Sequence, residues 1–162
     1  MTAAMSPSVA ASPARDALSR IVTAGLAGGA VDFAYASVMG ELNGRGTLKV
    51  WQGVASGWIG KAAGDGGLAS GALGVVTHFG IAICMAAAYA LAALRFPVLY
   101  RRWPVFAALY GVLLYVFMYR VVLALRFGGG AWRGWPSVLD IGAHVGLALV
   151  AAYVLSRRAK RS

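Results

Sequence analysis

The chain of 162 residues contains few charged residues and a single cysteine. Only 12% of its residues are charged, about half of the roughly 25% typical of soluble proteins. Another 60% are hydrophobic, and a soluble domain of this size cannot bury so much apolar surface because its surface-to-volume ratio is too high. The one cysteine, Cys84, allows no intrachain disulfide, and its position in an apolar run predicts a small packing residue. These shortages exclude an ordinary soluble enzyme, a disordered chain and a disulfide-rich secreted domain.

The sequence motifs of common enzyme classes are missing as well. The chain contains no P-loop, no dinucleotide-binding glycine fingerprint and no nucleophile elbow. The GLAGGA segment at residues 25–30 has the composition of a phosphate loop, but it lies inside an apolar run with no strand before it. We interpret it as a site of close helix packing. Because the basic residues are spread over six segments, we predict no nucleic-acid binding, and we predict no enzymatic activity.

Four apolar segments are each long enough to cross a bilayer, for which a helix needs about 20 residues. Within a domain of residues 17–156, they are residues 17–40, 67–94, 103–125 and 137–156, with Pro97, Pro104 and Pro136 at their boundaries. We predict an all-α polytopic membrane protein with a four-helix transmembrane bundle. Residues 1–16 are predicted as a flexible tail that includes a helix start at Ser12 and Pro13. Residues 157–162 are predicted as a basic tail, and Gly128-Gly129-Gly130 as a flexible turn.

A shorter amphipathic segment lies between the first two spans, at about residues 47–63. Its apolar residues recur at helical spacing, and they are Val50, Trp51, Val54, Trp58 and Ile59. The segment is too short to cross the membrane and is interrupted by glycines. We predict an interfacial helix that holds Trp51 and Trp58 at the level of the lipid headgroups. A partly re-entrant helix and a helical lid over the bundle are the alternatives.

The formal net charge of +10 indicates the orientation of the chain. With four spans, nine lysines and arginines lie on the side of both termini and five lie on the opposite side, leaving out Arg120 within a span. Basic residues are enriched in cytoplasmic segments of membrane proteins. We therefore predict a bacterial inner-membrane protein with both termini in the cytoplasm and the lipid bilayer as its partner.

Five ionisable residues lie inside the predicted spans, namely Asp32, His78, Arg120, Asp140 and His144. Such residues are unfavourable in hydrocarbon, and by default they face the interior of a bundle or a water-filled cavity. In the predicted orientation all five lie in the outer half of the membrane, so they can meet in one intramembrane polar cluster. The aspartates are candidate acceptors or ligands, and the histidines are candidate titratable groups or ligands. Arg120 is the candidate counter-cation.

Small residues share a helix face with four of these ionisable groups. Counting every fourth residue from Asp32, His78 and Asp140 gives stripes of alanine, glycine and serine. The stripes contain Ala24, Gly28, Ala36 and Gly40 in the first span, Ser70, Gly74, Ala82, Ala86 and Ala90 in the second, and Ala148, Ala152 and Ser156 in the fourth. Small residues at this spacing let helix backbones approach closely in a membrane. The pattern predicts that the ionisable groups lie at helix–helix interfaces.

Several functions are open to such a cluster. It can act as a packing network of paired charges, or it can bind a proton or small ligand because histidine titrates near neutral pH. Candidate ligands for a divalent metal are Asp32, His78, Asp140 and His144, of which the last two are one helical turn apart. His78 and His144 are also candidate axial ligands of a b-type haem, although the sequence requires no cofactor. An accessory subunit, in a homo-oligomer or a larger membrane complex, is a further alternative.

Four short motifs stand out between about residues 50 and 156. They are WQGVASG at 51–57, LGVVTHFGIA at 73–82, Arg95-Phe96-Pro97 followed by Tyr110-Gly111, and GAHVGLA at 142–148. These motifs resemble segments of uncharacterised small bacterial inner-membrane proteins of the YagU-like family, without the longer extramembrane insertions of its members. The resemblance implies a multi-helix inner-membrane protein with a histidine in each of two spans. It implies no particular biochemical activity.

Overall fold

The computed structural model describes residues 13–128 and 132–159, and the regular structure in these residues is helical. The long helices are α1 (Pro13–Leu42), α3 (Gly67–Arg95) and α7 (Trp135–Ala159). The shorter helices are α2 (Thr47–Ile59), α4 (Val98–Arg101), α5 (Trp103–Val116) and α6 (Leu123–Phe127). A 3-10 turn at Gly60–Gly64 follows α2, and a π-helical segment at Phe117–Val122 joins α5 to α6.

Four helices in the described residues are long and apolar enough to cross a membrane. They are Ala14–Leu42, Gly67–Arg95, Trp103–Phe127 and Trp135–Arg157. The third of them consists of α5, the π-helical segment and α6 in series. The predicted fold class is therefore confirmed, because the chain is an all-α membrane protein with four spans and a short helix between the first two. Many large apolar side chains lie on the outer surface of the bundle, where lipid surrounds them.

Prolines and a glycine mark the helix boundaries where their backbone conformation fits. Pro97 precedes α4, and Pro104 lies in the first turn of α5, where a missing N–H group is tolerated. Pro136 is the second residue of α7. Gly128 ends α6 in the left-handed conformation, with φ of 78°, as glycine does at many helix ends. The rest of the predicted glycine turn and the predicted cap residue Ser12 lie outside the described residues.

Glycines let the spans approach each other more closely than larger residues would allow. Helix α7 packs along both α1 and α5, and α1 packs along α3. A Cβ atom on Gly28 would lie 2.6 Å from the carbonyl oxygen of Leu147, and one on Gly25 would lie 2.5 Å from the Cα atom of Ile83. Real Cβ atoms do not approach other atoms this closely. The predicted role of the GLAGGA segment in close helix packing is therefore confirmed.

Alanines fill the half of the bundle that lies towards the start of α1 and the end of α7. This buried core contains Ala24, Ala86, Ala90, Ala107, Ala151 and Ala152, together with Tyr89 and Leu155. Several of its alanines belong to the small-residue stripes predicted from the sequence, and those stripes lie at helix–helix interfaces. Cys84 does not belong to this core, because it is exposed on the face of α3 that carries Val76, Gly80 and Ala88. The prediction that Cys84 is a packing residue is wrong.

Helix α2 packs mainly against α3 and also contacts α1. Gly74 of α3 permits this contact, because a Cβ atom at this position would overlap the carbonyl oxygen of Trp51. The Trp51 side chain is only 3% exposed and stacks on Phe33 with 4.5 Å between ring centroids, so it packs inside the protein and does not face lipid headgroups. Trp58, by contrast, is 69% exposed and donates a hydrogen bond to Thr77. The arrangement matches the alternative in which this segment is a helical lid.

Candidate intramembrane polar site

Three of the predicted ionisable residues meet where α1, α3 and α7 pack together. The Nδ1 atom of His78 lies 3.9 Å from Oδ2 of Asp32, and the Nδ1 atom of His144 lies 4.0 Å from Oδ1 of the same carboxylate. The three side chains are 12–17% exposed. By helical geometry they lie about 15 Å from the nearer ends of their helices, which is well inside a bilayer. We refer to Asp32, His78 and His144 as the inner cluster.

His78 is held by a backbone carbonyl and by aromatic rings. Its Nε2 atom lies 2.9 Å from the carbonyl oxygen of Gly29, which can only accept a hydrogen bond, so Nε2 carries a hydrogen. The rings of Trp51, Phe33 and Phe79 surround the imidazole at centroid distances of 5.1–6.4 Å. In a neutral ring the Nδ1 atom then carries a lone pair. An accepting nitrogen therefore faces the accepting carboxylate of Asp32 across 3.9 Å.

In His144 the ring hydrogen is on Nδ1, whereas in His78 it is on Nε2. Its Nδ1 atom lies 2.8 Å from the backbone carbonyl oxygen of Asp140, one turn earlier in α7, so Nδ1 donates this hydrogen bond. The rings of Tyr115 and Tyr119 contact the imidazole edge to face, with centroids 5.9 and 6.1 Å away. The Nδ1–H group of His144 thus lies on the side of the Asp32 carboxylate, which it attracts. The Nδ1 atom of His78 carries a lone pair, which repels this carboxylate unless Nδ1 gains a proton.

Asp140 forms a second polar group nearer the start of α7. Its Oδ1 atom accepts a hydrogen bond of 2.7 Å from the hydroxyl of Tyr35, and its Oδ2 atom accepts one of 2.9 Å from the hydroxyl of Tyr119. Oδ2 also accepts a hydrogen bond of 2.6 Å from Nη2 of Arg133. Asp140 is buried at 8% exposure, while the Arg133 side chain is 56% exposed. We refer to Asp140, Tyr35, Tyr119 and Arg133 as the outer cluster.

Arg133 has the role that we predicted for Arg120. Burial opposes the charge of Arg133, but the hydrogen bond that it donates to Asp140 and the negative charge of this carboxylate raise the pKa of the guanidinium above its ordinary value. Arg120 instead lies exposed on the outer surface of the π-helical segment, and no ion pair of Arg120 occurs among the described residues. The predicted counter-cation is therefore corrected from Arg120 to Arg133.

The sequence contains a signal for the exposed position of Arg120, but none for the role of Arg133. Reading every fourth residue back from Arg120 gives Val116 and Val112, which are large and exposed, unlike the small residues beside the other ionisable groups. The buried face of the same span is given instead by Ala107, Gly111, Tyr115 and Tyr119. Arg133 lies outside the predicted spans, and only ionisable residues within the spans were predicted to join the cluster.

The histidines and aspartates are not arranged as the predicted metal or haem ligands. Within residues 13–128 and 132–159, no group of three or more His, Cys, Asp or Glu side chains is placed to hold a metal ion. The carboxylate of Asp140 binds tyrosine and arginine side chains in the outer cluster, which separates it from Asp32. The Nε2 atom of His78 lies 2.9 Å from the carbonyl oxygen of Gly29 and its Nδ1 atom lies 3.9 Å from the carboxylate of Asp32, so both ring nitrogens face oxygen atoms of the protein.

The two clusters are linked to each other and lie next to an apolar core. Nδ1 of His144 donates a hydrogen bond to the backbone carbonyl oxygen of Asp140, and Arg133 is exposed at the far side of the outer cluster. On the other side of the inner cluster lies the buried alanine core, which also contains Tyr89 and Leu155. The site is therefore polar towards one end of the bundle and mainly apolar towards the other in the described residues.

No family model, no curated protein and no solved structure matches the chain. The resemblance to the YagU-like family, the absence of enzymatic activity and the accessory-subunit alternative therefore stay predictions.

Proposed function

We propose that this four-span protein of the bacterial inner membrane binds one proton between Asp32 and His78. The observation that carries the proposal is the distance of 3.9 Å between Nδ1 of His78 and Oδ2 of Asp32, with Nε2 of His78 committed to a carbonyl oxygen. Two accepting atoms at this distance repel each other, and a proton on either of them turns the repulsion into attraction. A single proton thus completes the inner cluster.

The surroundings of the pair favour binding of a proton over binding of a larger ligand. Aromatic rings pack around His78, and Trp51 of α2 covers it with 5.1 Å between ring centroids. The other titratable and charged groups near the pair are His144, Tyr35 and the remaining members of the outer cluster.

The proposal predicts where the hydrogens of His78 lie with and without the carboxylate. The amide of Asn in Asp32→Asn can itself donate a hydrogen bond to Nδ1 of His78, so the shared proton is no longer needed. At one fixed pH, the ¹⁵N signals of the imidazole in purified protein in detergent are expected to show a hydrogen on Nδ1 in the wild type and a lone pair on Nδ1 in Asp32→Asn. The chain has only two histidines, so His78→Gln assigns both signals.

The matched control is Asp65→Asn, which removes an exposed carboxylate between the 3-10 turn and α3. This variant should leave the ¹⁵N signals of His78 unchanged. An Asp32→Asn protein that folds normally and shows the wild-type ¹⁵N signals of His78 would refute proton sharing between the two residues.

The proposed orientation places both termini in the cytoplasm, which the nine basic residues on their side of the membrane support against five on the other. We expect a fluorescent protein that matures only in the cytoplasm to be fluorescent when fused to either terminus. Insertion of the same reporter at Gly44, in the turn between α1 and α2, should abolish fluorescence while the protein still reaches the membrane. Fluorescence from the Gly44 insertion alone would reverse the assignment.

A further inference from the structure

The end of the bundle that carries the alanine core is rich in arginine. The arginines around this end whose side chains the structure describes are Arg15, Arg20, Arg95, Arg101, Arg102 and Arg157. Asp16 is the one acidic residue of the described chain at this end, because the other four acidic residues belong to the inner and outer clusters or to the turns around α2. The arginines therefore create a strongly positive surface at this end.

Two of these arginines share a groove beside α4. Arg101 and Arg102 line it together with Val98, and its volume is about 320 Å³. In the described part of the chain, neither guanidinium forms an ion pair, a side-chain hydrogen bond or a contact with an aromatic ring. By contrast, the guanidinium groups of Arg95 and Arg157 lie over aromatic rings, 5.5 and 5.1 Å from the ring centroids.

The backbone and the apolar neighbours add to the character of this groove. Helix α5 begins at Trp103, directly after Arg102, and no side chain caps its N-terminus. An uncapped N-terminus carries a partial positive charge that favours an anion, although Pro104 in this turn provides no N–H group. Val98 in the groove and Leu94 and Phe96 before it are exposed, so apolar surface lies next to the two arginines.

We propose that this groove binds the phosphate of an anionic phospholipid headgroup, with Arg101 and Arg102 as its ligands. The planar guanidinium group matches phosphate oxygens with two parallel hydrogen bonds. Helix α4 lies between the end of the second span at Arg95 and the start of the third at Trp103, which is the level at which lipid headgroups lie. The exposed apolar residues provide a surface for the acyl chains, which a free phosphate ion would not use.

The test compares lipid retention by two charge-matched double variants. Wild-type protein and Arg101→Gln/Arg102→Gln are purified in mild detergent and titrated with phosphatidylglycerol or phosphatidylcholine, and bound lipid is counted by native mass spectrometry. We expect the double variant to bind phosphatidylglycerol about 10- to 30-fold more weakly than the wild type, since each arginine near a membrane surface contributes about 1 kcal/mol. Binding of phosphatidylcholine should be weak in both proteins.

The control is Arg45→Gln/Arg126→Gln, which removes two exposed arginines from the opposite end of the bundle and changes the net charge equally. This variant should retain phosphatidylglycerol within about twofold of the wild type, because its groove is intact. An equal loss in both variants would overturn the proposal, because the effect would then follow from net charge alone. Displacement of the lipid by inorganic phosphate at low millimolar concentration would overturn the assignment of the ligand to a lipid.

Discussion

Replacing Asp140 by alanine is expected to lower the free energy of unfolding by about 2–4 kcal/mol. The carboxylate accepts hydrogen bonds from Tyr35 and Tyr119, and without it two hydroxyls inside the bundle lose their acceptor. Each buried donor left without a partner costs about 1–3 kcal/mol. Arg133 adds little to the loss, because its side chain is more than half exposed and can turn to water. The measurement is unfolding of the purified protein in mixed micelles.

Companion variants separate the hydrogen bonds from the loss of charge. Tyr35→Phe is expected to cost about 1 kcal/mol, because it removes one donor and leaves the carboxylate two others. Asp65→Ala removes an exposed carboxylate and should leave stability unchanged. A stability of Asp140→Ala within about 0.5 kcal/mol of the wild type would show that the outer cluster does not hold α1, α7 and the third span together.

Replacing Gly74 by alanine is expected to displace α2 from the bundle. The new methyl group would overlap the carbonyl oxygen of Trp51, and a backbone atom cannot move aside without moving its helix. Overpacking of this kind costs about 1–3 kcal/mol, and more where backbone has to shift. Because Trp51 also covers His78, the displacement should expose the inner cluster. Hydrogen exchange of the Thr47–Ile59 amides is the direct measurement, and faster exchange is the expected result.

Gly80 offers a matched control on the same helix. It lies in the middle of α3, has helical backbone conformation, and a Cβ atom there would meet no other atom within 4 Å. Gly80→Ala should therefore keep the wild-type exchange of α2 and leave the bundle as stable or slightly more stable. If Gly74→Ala and Gly80→Ala behave alike, the close approach of α2 to α3 does not support the lid.

The architecture was largely predictable because each membrane span has a simple physical requirement. A helix that crosses a bilayer needs about 20 apolar residues, and the chain supplies four such segments with prolines between them. Helix facing was also predictable, since Gly28 and Gly74 lie where two backbones touch and a larger residue would not fit. Cys84 shows the limit of this reasoning, because an apolar segment has a lipid-facing side as well as a buried one.

The site was predictable only where its residues lie inside the spans. Asp32, His78 and His144 come together as the small-residue stripes predicted. Two further residues join the site through contacts with other elements. Arg133, in the connection before α7, binds Asp140, and Trp51 of α2 packs on His78. Hydropathy assigned both residues to the surface. Amphipathic spacing shows that a helix has an apolar face, but it does not distinguish a lipid surface from another helix as the partner of that face.

The alanine core has a consequence for how the site responds to an energised membrane. Under the proposed proton binding, the charge of the inner cluster would change at a depth of about 15 Å from one end of the helices, beyond which the buried core is mainly apolar in the described residues. A charge inside a membrane experiences part of the transmembrane voltage, and a full crossing amounts to about 2.3 kcal/mol for each 100 mV. The proton occupancy of the pair would therefore differ between a polarised and a depolarised cell.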